Sequence, residues 1–388
     1  MLGVLARMIQ ALQRRIRKQP DARAYFRLGL EKIDQGDMRG ALADYTESIR
    51  LNPRLSGSYL NRGVVRFKLH DLAGALEDFA KVIQLDPKNG TAYYYQAVIR
   101  ADQGEIDAAI EGLTTSLRLA PDKAEVYAER GRLRFKQHHW SDAVEDYTAA
   151  LRLDPQLTEL YKKRGEARGR LEDWDGAIED YTASLRYHPQ DAVTYYNRGL
   201  VYRRKNDLDR AIADYSEAIR LNAEFYQAYS NRGVVRARQH DWPGAIEDWS
   251  EAIRCNAQDA YAYNNRAGGY NHLGKYDAAL ADANQSIRLN PDFPEAYVTR
   301  GEIHFALAQF PQALSDFQKA NELRPGFESA VAGSAVVHHV MGQMDEARRL
   351  WRTLLDKDAR YGEADWVGQE HNWVALLAEE ARKLIAGL

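Results

Sequence analysis

Residues 56–89 read SGSYLNRGVVRFKLHDLAGALEDFAKVIQLDPKN. Tyr59, Val65 and Phe67 lie on a first segment, His70-Asp71 interrupt it, and Ala75, Leu76, Phe79, Val82 and Ile83 follow at helical spacing on a second. Apolar residues three and four apart occupy one face of a helix and seek a partner for it. Asp71 stands where the second helix begins, where a carboxylate accepts from unpaired backbone amides. Pro87 stops that helix. The stretch predicts two antiparallel helices joined by a tight turn.

Stepping outward by 34 residues from Tyr59 meets Tyr25 on one side and Tyr93, Tyr127, Tyr161, Tyr195, Tyr229, Tyr263 and Tyr297 on the other. From Ala75 the same step gives Ala41, Ala109, Ala143, Ala177, Ala211, Ala245, Ala279, Ala313 and Ala347. Random composition does not produce two such ladders. A bulky ladder runs Tyr45, Phe79, Leu113, Tyr147, Tyr181, Tyr215, Trp249, Phe317 and Trp351, with Ala283 as the exception. Prolines at 53, 87, 121, 155, 189, 291 and 325 close the second helices. Gly36, Gly104, Gly274 and Gly342 follow first helices, where a left-handed residue is wanted. Pro243 and Pro311 fall in the first turn of second helices, where a missing amide hydrogen costs little. Small alanines let two helices approach, and the rings fill the space between turns.

The spacing of aromatic, Arg-Gly, Ala, aromatic and Pro resembles the tetratricopeptide repeat, with Leu28-Gly29, Arg62-Gly63, Arg130-Gly131 and Arg232-Gly233 in its glycine position. The resemblance implies an all-α, right-handed superhelical solenoid of antiparallel helix pairs, and the register divides it into ten units. They are 22–55, 56–89, 90–123, 124–157, 158–191, 192–225, 226–259, 260–293, 294–327 and 328–361. Residues 1–21 form an expected N-terminal amphipathic capping helix: Leu2, Leu5, Ile9, Leu12 and Ile16 make its stripe, and Arg7, Arg14, Arg15, Arg17 and Lys18 its basic face. The same helix suits a membrane surface. Residues 362–388, with Trp366, Trp373, Leu376, Leu377, Leu384 and Ile385, are expected to cap the other end.

Comparison of the repeats with one another yields a pairing. Three residues after the ladder tyrosine stand Arg62, Arg130, Arg164, Arg198, Arg232, Arg266 and Arg300, and just before the bulky ladder Asp44, Asp78, Asp146, Asp180, Asp214, Asp248, Asp282 and Asp316. Both are lost together as Gln96 and Gly112, and again as Ser334 and Leu350; only Leu28 with Asp44 breaks the rule. Each Arg–Asp pair is therefore expected to bridge the two helices of its own repeat.

In tetratricopeptide solenoids the first helices line a groove, which the resemblance places one, two, five, eight and nine residues after each ladder tyrosine. For repeats four to seven these positions include Arg132, Lys136, Lys162, Lys163, Arg170, Arg203, Arg204 and Arg238 against Glu129 and Glu166, which suits an acidic or carboxylate-bearing peptide. Asn61, Asn197, Asn231 and Asn265, with Asn264 beside the last, offer donors and acceptors to an extended backbone. This row resembles the asparagine ladder of O-linked N-acetylglucosamine transferase, interrupted here at Tyr95, Glu129 and Lys163. Lys162 and Asn197 partly resemble a carboxylate clamp, with Glu166 where that clamp has a neutral partner. Tyr94 and Tyr95 belong to an aromatic stretch of the groove in the first repeats.

The chain of 388 residues has a net charge of −3, which does not mark a general nucleic-acid binder, and its single cysteine, Cys255, excludes an internal disulfide. Cys255 reads as a small buried filler. No phosphate loop, paired CxxC or HExxH occurs, so neither catalysis nor a cofactor or metal is expected. His304 and His338 are 34 apart and at most make a weak metal site. A cytoplasmic protein-binding scaffold is the leading reading. The alternatives are an accessory subunit held at a membrane surface by residues 1–20, and single-stranded RNA binding.

Overall fold

A computed structural model of the protein describes residues 21–371 and 373–387; the expected N-terminal capping or membrane-surface helix lies outside them. The chain divides into two compact units between Tyr187 and His188. In the first, ten helices form five antiparallel pairs: α1 (Ala22–Asp34) with α2 (Met38–Leu51), α3 (Ser56–Lys68) with α4 (Leu72–Leu85), α5 (Gly90–Asp102) with α6 (Ile106–Leu119), α7 (Ala124–Lys136) with α8 (Trp140–Leu153), and α9 (Glu159–Arg170) with α10 (Trp174–Tyr187). Within this unit the second helix of one pair packs on the first helix of the next.

The second unit continues the pattern with α11 (Ala192–Arg204) and α12 (Leu208–Leu221), α13 (Tyr226–Arg238) and α14 (Trp242–Cys255), and α15 (Ala260–His272) and α16 (Tyr276–Leu289). Next come α17 (Pro294–Ala306) with α18 (Phe310–Leu323) and α19 (Glu328–Val340) with α20 (Met344–Leu355). A 3-10 turn (Ala359–Gly362), α21 (Ala364–Glu370) and α22 (Ala375–Ala386) end the unit. All described regular structure is helical, and no described helix is long and apolar enough to cross a membrane.

The ladders explain why these segments are helices that pair. Every ladder alanine from Ala41 to Ala347 is fully buried, and so are Tyr45, Phe79, Leu113, Tyr215, Phe317 and Trp351. The glycine after each arginine lies under a ring of its own repeat: a Cβ on Gly63 would stand 2.8 Å from Phe79, and one on Gly199 2.8 Å from Tyr215. Where the ring shrinks to Leu113 or Ala283, the facing position is Ala97 or Ala267. The Ala97–Leu113 pair keeps about the volume of a glycine–ring pair, as a close-packed interior requires, whereas the Ala267–Ala283 pair is smaller.

The helix ends follow the sequence reading. Asp71, Asp173, Asp207 and Asp241 accept from the amides of Gly74, Gly176, Arg210 and Gly244, and Pro243 and Pro311 sit in first turns. Gly36, Gly104, Gly274 and Gly342 are left-handed. The other repeats place a residue with a Cβ in the same conformation: His70, His138, Glu172, Asn206, His240 and Ala308, with φ between 57 and 64°.

The arginine–aspartate pairs form as expected. Arg62, Arg130, Arg164, Arg198, Arg232, Arg266 and Arg300 each grip the aspartate of their own repeat with two guanidinium nitrogens, as in Arg130 with Asp146 at 3.0 and 2.7 Å. The exception in the first repeat is resolved by Lys32, whose ammonium sits 2.6 Å from Asp44. Two further roles were not visible in the pairing alone. Each of these guanidinium groups lies 5.6–5.8 Å from the centre of its ladder tyrosine ring. Arg62, Arg130, Arg164, Arg232, Arg266 and Arg300 also donate to Thr46, Thr114, Thr148, Ser216, Ser250 and Asn284 on the preceding second helix. One side chain thus ties three helices.

Candidate binding face and cavity

The expected groove positions lie on the first helix of each pair, whereas the ladder alanines lie on the second. In the first unit the side chains at groove positions are largely committed to neighbours. Asn61 lies beside the Tyr45 hydroxyl, whose proton is held more tightly because the ring is buried. Tyr95 stacks on Phe79 at 5.3 Å and meets Tyr94 edge-on at 5.2 Å, so both rings serve packing. Arg132 chelates Glu129 at 2.8 and 2.5 Å, Lys163 lies 3.4 Å from Glu166, and Lys162 lies 3.9 Å from Glu159. Arg170 sits over the Trp140 ring, and Lys136 is exposed with no carboxylate partner among the described residues. Glu129 and Glu166, already counted against the basic residues, are thus joined by Glu159, and Arg132, Lys162 and Lys163 each face an acid three residues away on the same helix.

In the second unit, Asn197 and Arg203 are half-buried, and Arg204 is exposed. Asn231 donates to the Tyr196 hydroxyl at 3.1 Å and to the Gln227 carbonyl at 2.9 Å, tying one first helix to the one before it. Arg238, Asn264 and Asn265 come together on the wall of a cavity of about 1170 Å³. The first helices α13, α15 and α17 build this wall, with Val234, Gly268, Asn271, His272, Val298, Thr299 and Glu302 at groove positions. The C-terminal segment adds to the lining through Trp366, His371 and Trp373. That segment does more than cap the last repeat, because α22 turns back and packs on α19 and α17. Val298, Phe305, Val336 and Val337 share one apolar cluster with Trp373, Leu377 and Leu384.

Burial sets the electrostatics of the cavity. It pushes the Glu302 carboxyl up to about 8, with the Trp373 indole N–H acting in the opposite sense. It also pushes His371 down to about 4, so that ring is neutral near pH 7. His371 is positioned by the hydroxyls of Ser329 and Tyr361 at 3.1 and 3.2 Å. Trp242 stacks on His272 at 3.9 Å.

Neither Glu302 nor the C-terminal residues were among the expected site residues. Gly268 and Glu302 obey the same register, five after Tyr263 and Tyr297, and extending that rule past repeat seven reaches them. No ladder reaches His371 or Trp373. His304 and His338 do not meet: each bonds a glutamine of its own repeat, Gln309 and Gln343. No described group of three His, Cys, Asp or Glu is arranged to hold a metal ion. Cys255 is half-buried and donates to the Ala223 carbonyl, and burial pushes its thiol up.

Tandem antiparallel helix pairs, repeated at a period of 34 residues, define a helical-repeat solenoid. Models described as tetratricopeptide repeat match residues 26–89, 66–133, 124–157, 192–225 and 272–326, together more than half of the chain. The chain belongs to the tetratricopeptide repeat family. Among solved structures, a tetratricopeptide repeat protein from Parabacteroides merdae ATCC 43184 is similar at 21% identity, covering 64% of this chain and 99% of its own, with a TM-score of 0.50. That likeness shows the fold. The MamA protein is 26% identical over 43% of this chain and 91% of its own, at a TM-score of 0.40. YrrB, described as a TPR protein with an unusual peptide-binding site, is 21% identical over 53% of this chain and 99% of its own, at 0.39. No curated protein matches.

Proposed function

We propose that the chain is a non-catalytic scaffold that binds a partner protein through an extended segment laid along its first helices. The observation that carries this reading is the division of labour in the repeats. Where the Arg–Asp pairs occur their charges are consumed between the helices of the repeat, whereas Lys136, Arg203, Arg204 and Arg238, at groove positions of the first helices, have no carboxylate partner among the described residues. A repeat stack offers such a strip rather than a converging active site. The finer reading is that Lys136, Arg203, Arg204 and Arg238, which have no carboxylate partner among the described residues, recruit acidic or carboxylate-bearing residues of the segment.

The test is fluorescence anisotropy with pools of short labelled peptides that are acidic, neutral or basic. The acidic pool is expected to bind, and to weaken about tenfold or more when Arg203, Arg204 and Arg238 are changed to glutamate with an unchanged circular dichroism spectrum. Equal binding of the acidic pool by both proteins removes the acidic preference. Binding of no pool removes the peptide-scaffold reading.

A further inference from the structure

We propose that the cavity of the second unit receives a basic side chain of the partner peptide, its guanidinium or ammonium group held among the oxygens of Asn264, Asn271, Glu295 and Glu302. The inference rests on the reading that this face binds a peptide, and it names the chemistry of one pocket on it. Four observations converge.

The first is room. Residue 268 is glycine at a groove position, and a Cβ there would meet no atom within 4 Å, so the wall is recessed where a side chain would otherwise project. The second is an excess of acceptors. Asn264 Oδ1, Asn271 Oδ1 and Glu295 Oε2 are buried without a hydrogen-bond partner from the protein, and Asn271 is only 3% exposed. Buried polar atoms in native proteins are normally satisfied, so three such oxygens on one cavity wall ask for a donor. Glu302 adds a carboxyl to the same wall.

The third is the aromatic lining of Trp242, Trp249, Trp366 and Trp373, since indole faces attract cations. The fourth is the scarcity of competing positive charge. The titratable and charged groups that line the cavity with Glu302 are Arg238, exposed on the last turn of α13, His240 just beyond it, His272 on α15, Glu295 on α17 and His371. His371 is neutral near pH 7, and Glu295 keeps one oxygen on Arg324 at 2.7 Å while the other remains unpartnered. An anion would meet oxygens, and an apolar group would leave them unsatisfied.

A bound cation favours the ionised form of Glu302, so the carboxyl gives its proton to solvent as the ligand enters. Affinity therefore rises as pH is raised towards about 8.

The experiment titrates the full-length protein with N-acetyl-arginine amide and, separately, with its uncharged isostere N-acetyl-citrulline amide, following the tryptophan indole resonances by NMR. The arginine probe is expected to shift Trp373 and Trp242, with the citrulline probe weaker by about tenfold or more. Glu302→Gln should lower the affinity for the arginine probe by a similar factor and flatten its pH dependence. Gly268→Leu, which enters open space, should block the shifts while circular dichroism stays unchanged. Equal response to both probes, an unaffected Glu302→Gln protein, or no indole shift at all overturns the proposal. The peptide pools separate the two readings. Pools that bind without any response to the arginine probe leave the scaffold standing and remove the pocket. An arginine response without peptide binding keeps the pocket and removes the scaffold.

Discussion

Arg198 shows how much one residue of the repeat carries. Its Nε and Nη2 each lie 2.8 Å from an oxygen of Asp214, its guanidinium lies 5.6 Å from the centre of the Tyr195 ring, and Asp214 is only 6% exposed. In repeats two, four, five and seven a second arginine, such as Arg134 at 2.9 Å from Asp146, supports the aspartate. Repeat six has Tyr202 at that position, so Asp214 depends on Arg198. Removing one partner of a buried ion pair leaves the other uncompensated, at a cost of about 3–5 kcal/mol. Arg198→Met is expected to cost towards that range, and more than Arg130→Met, where Arg134 remains. A urea-unfolding cycle on Arg198→Met and Asp214→Leu should return a coupling of about 1–3 kcal/mol. A coupling indistinguishable from zero would mean that the pair is geometry without energy.

Within the helix pair, the turn between helices shows where sequence reading succeeds and where it stops. Gly36, Gly104, Gly274 and Gly342 announce a left-handed residue by lacking a Cβ, and they adopt that conformation. His70, His138 and His240 occupy the same site, yet as polar residues in a loop they carry no such mark. Ala308, at φ 57°, has neither a glycine's freedom nor a polar group to bond locally. The left-handed conformation costs an L-residue roughly 1–2 kcal/mol, part of which glycine returns through its freer unfolded chain. Ala308→Gly is therefore expected to stabilise the protein by about 0.5–1 kcal/mol, seen as a higher midpoint in thermal melting. An unchanged or lower midpoint would show that the turn bears no strain there. The helix pairs, the buried ladders and the Arg–Asp bridges were legible because each chemistry recurs at one spacing, so a substitution in one repeat is read against its copies. The path of α22 was not legible: it occurs once, and an amphipathic helix does not reveal which of two apolar surfaces it covers. The groove register was legible, but the partners of Lys162, Lys163 and Arg132 depend on rotamers that spacing does not fix.

At the scale of the whole molecule, stability within each unit is a sum of local terms, since its repeats pack on their neighbours rather than on a common core. A perturbation then acts where it sits, and the C-terminal cavity holds two groups whose ionisation is coupled to folding. Burial raises Glu302 from 4.5 to about 8, so between those values the native state keeps a proton that the unfolded chain has lost. That contribution is fully present below pH 4.5 and disappears as pH rises through about 8. Burial lowers His371 from 6.5 to about 4, so over that window the unfolded chain binds the extra proton, and stability grows with pH until 6.5. The two oppose each other between pH 4.5 and 6.5, and Glu302 alone acts between 6.5 and about 8. The melting midpoint of the wild-type protein, followed by tryptophan fluorescence, should accordingly decline over that upper interval. Glu302→Gln, which cannot ionise, should lose most of the decline and melt above wild type at the alkaline end. A decline of equal size in both proteins would assign it to another group and place the Glu302 carboxylate in contact with water.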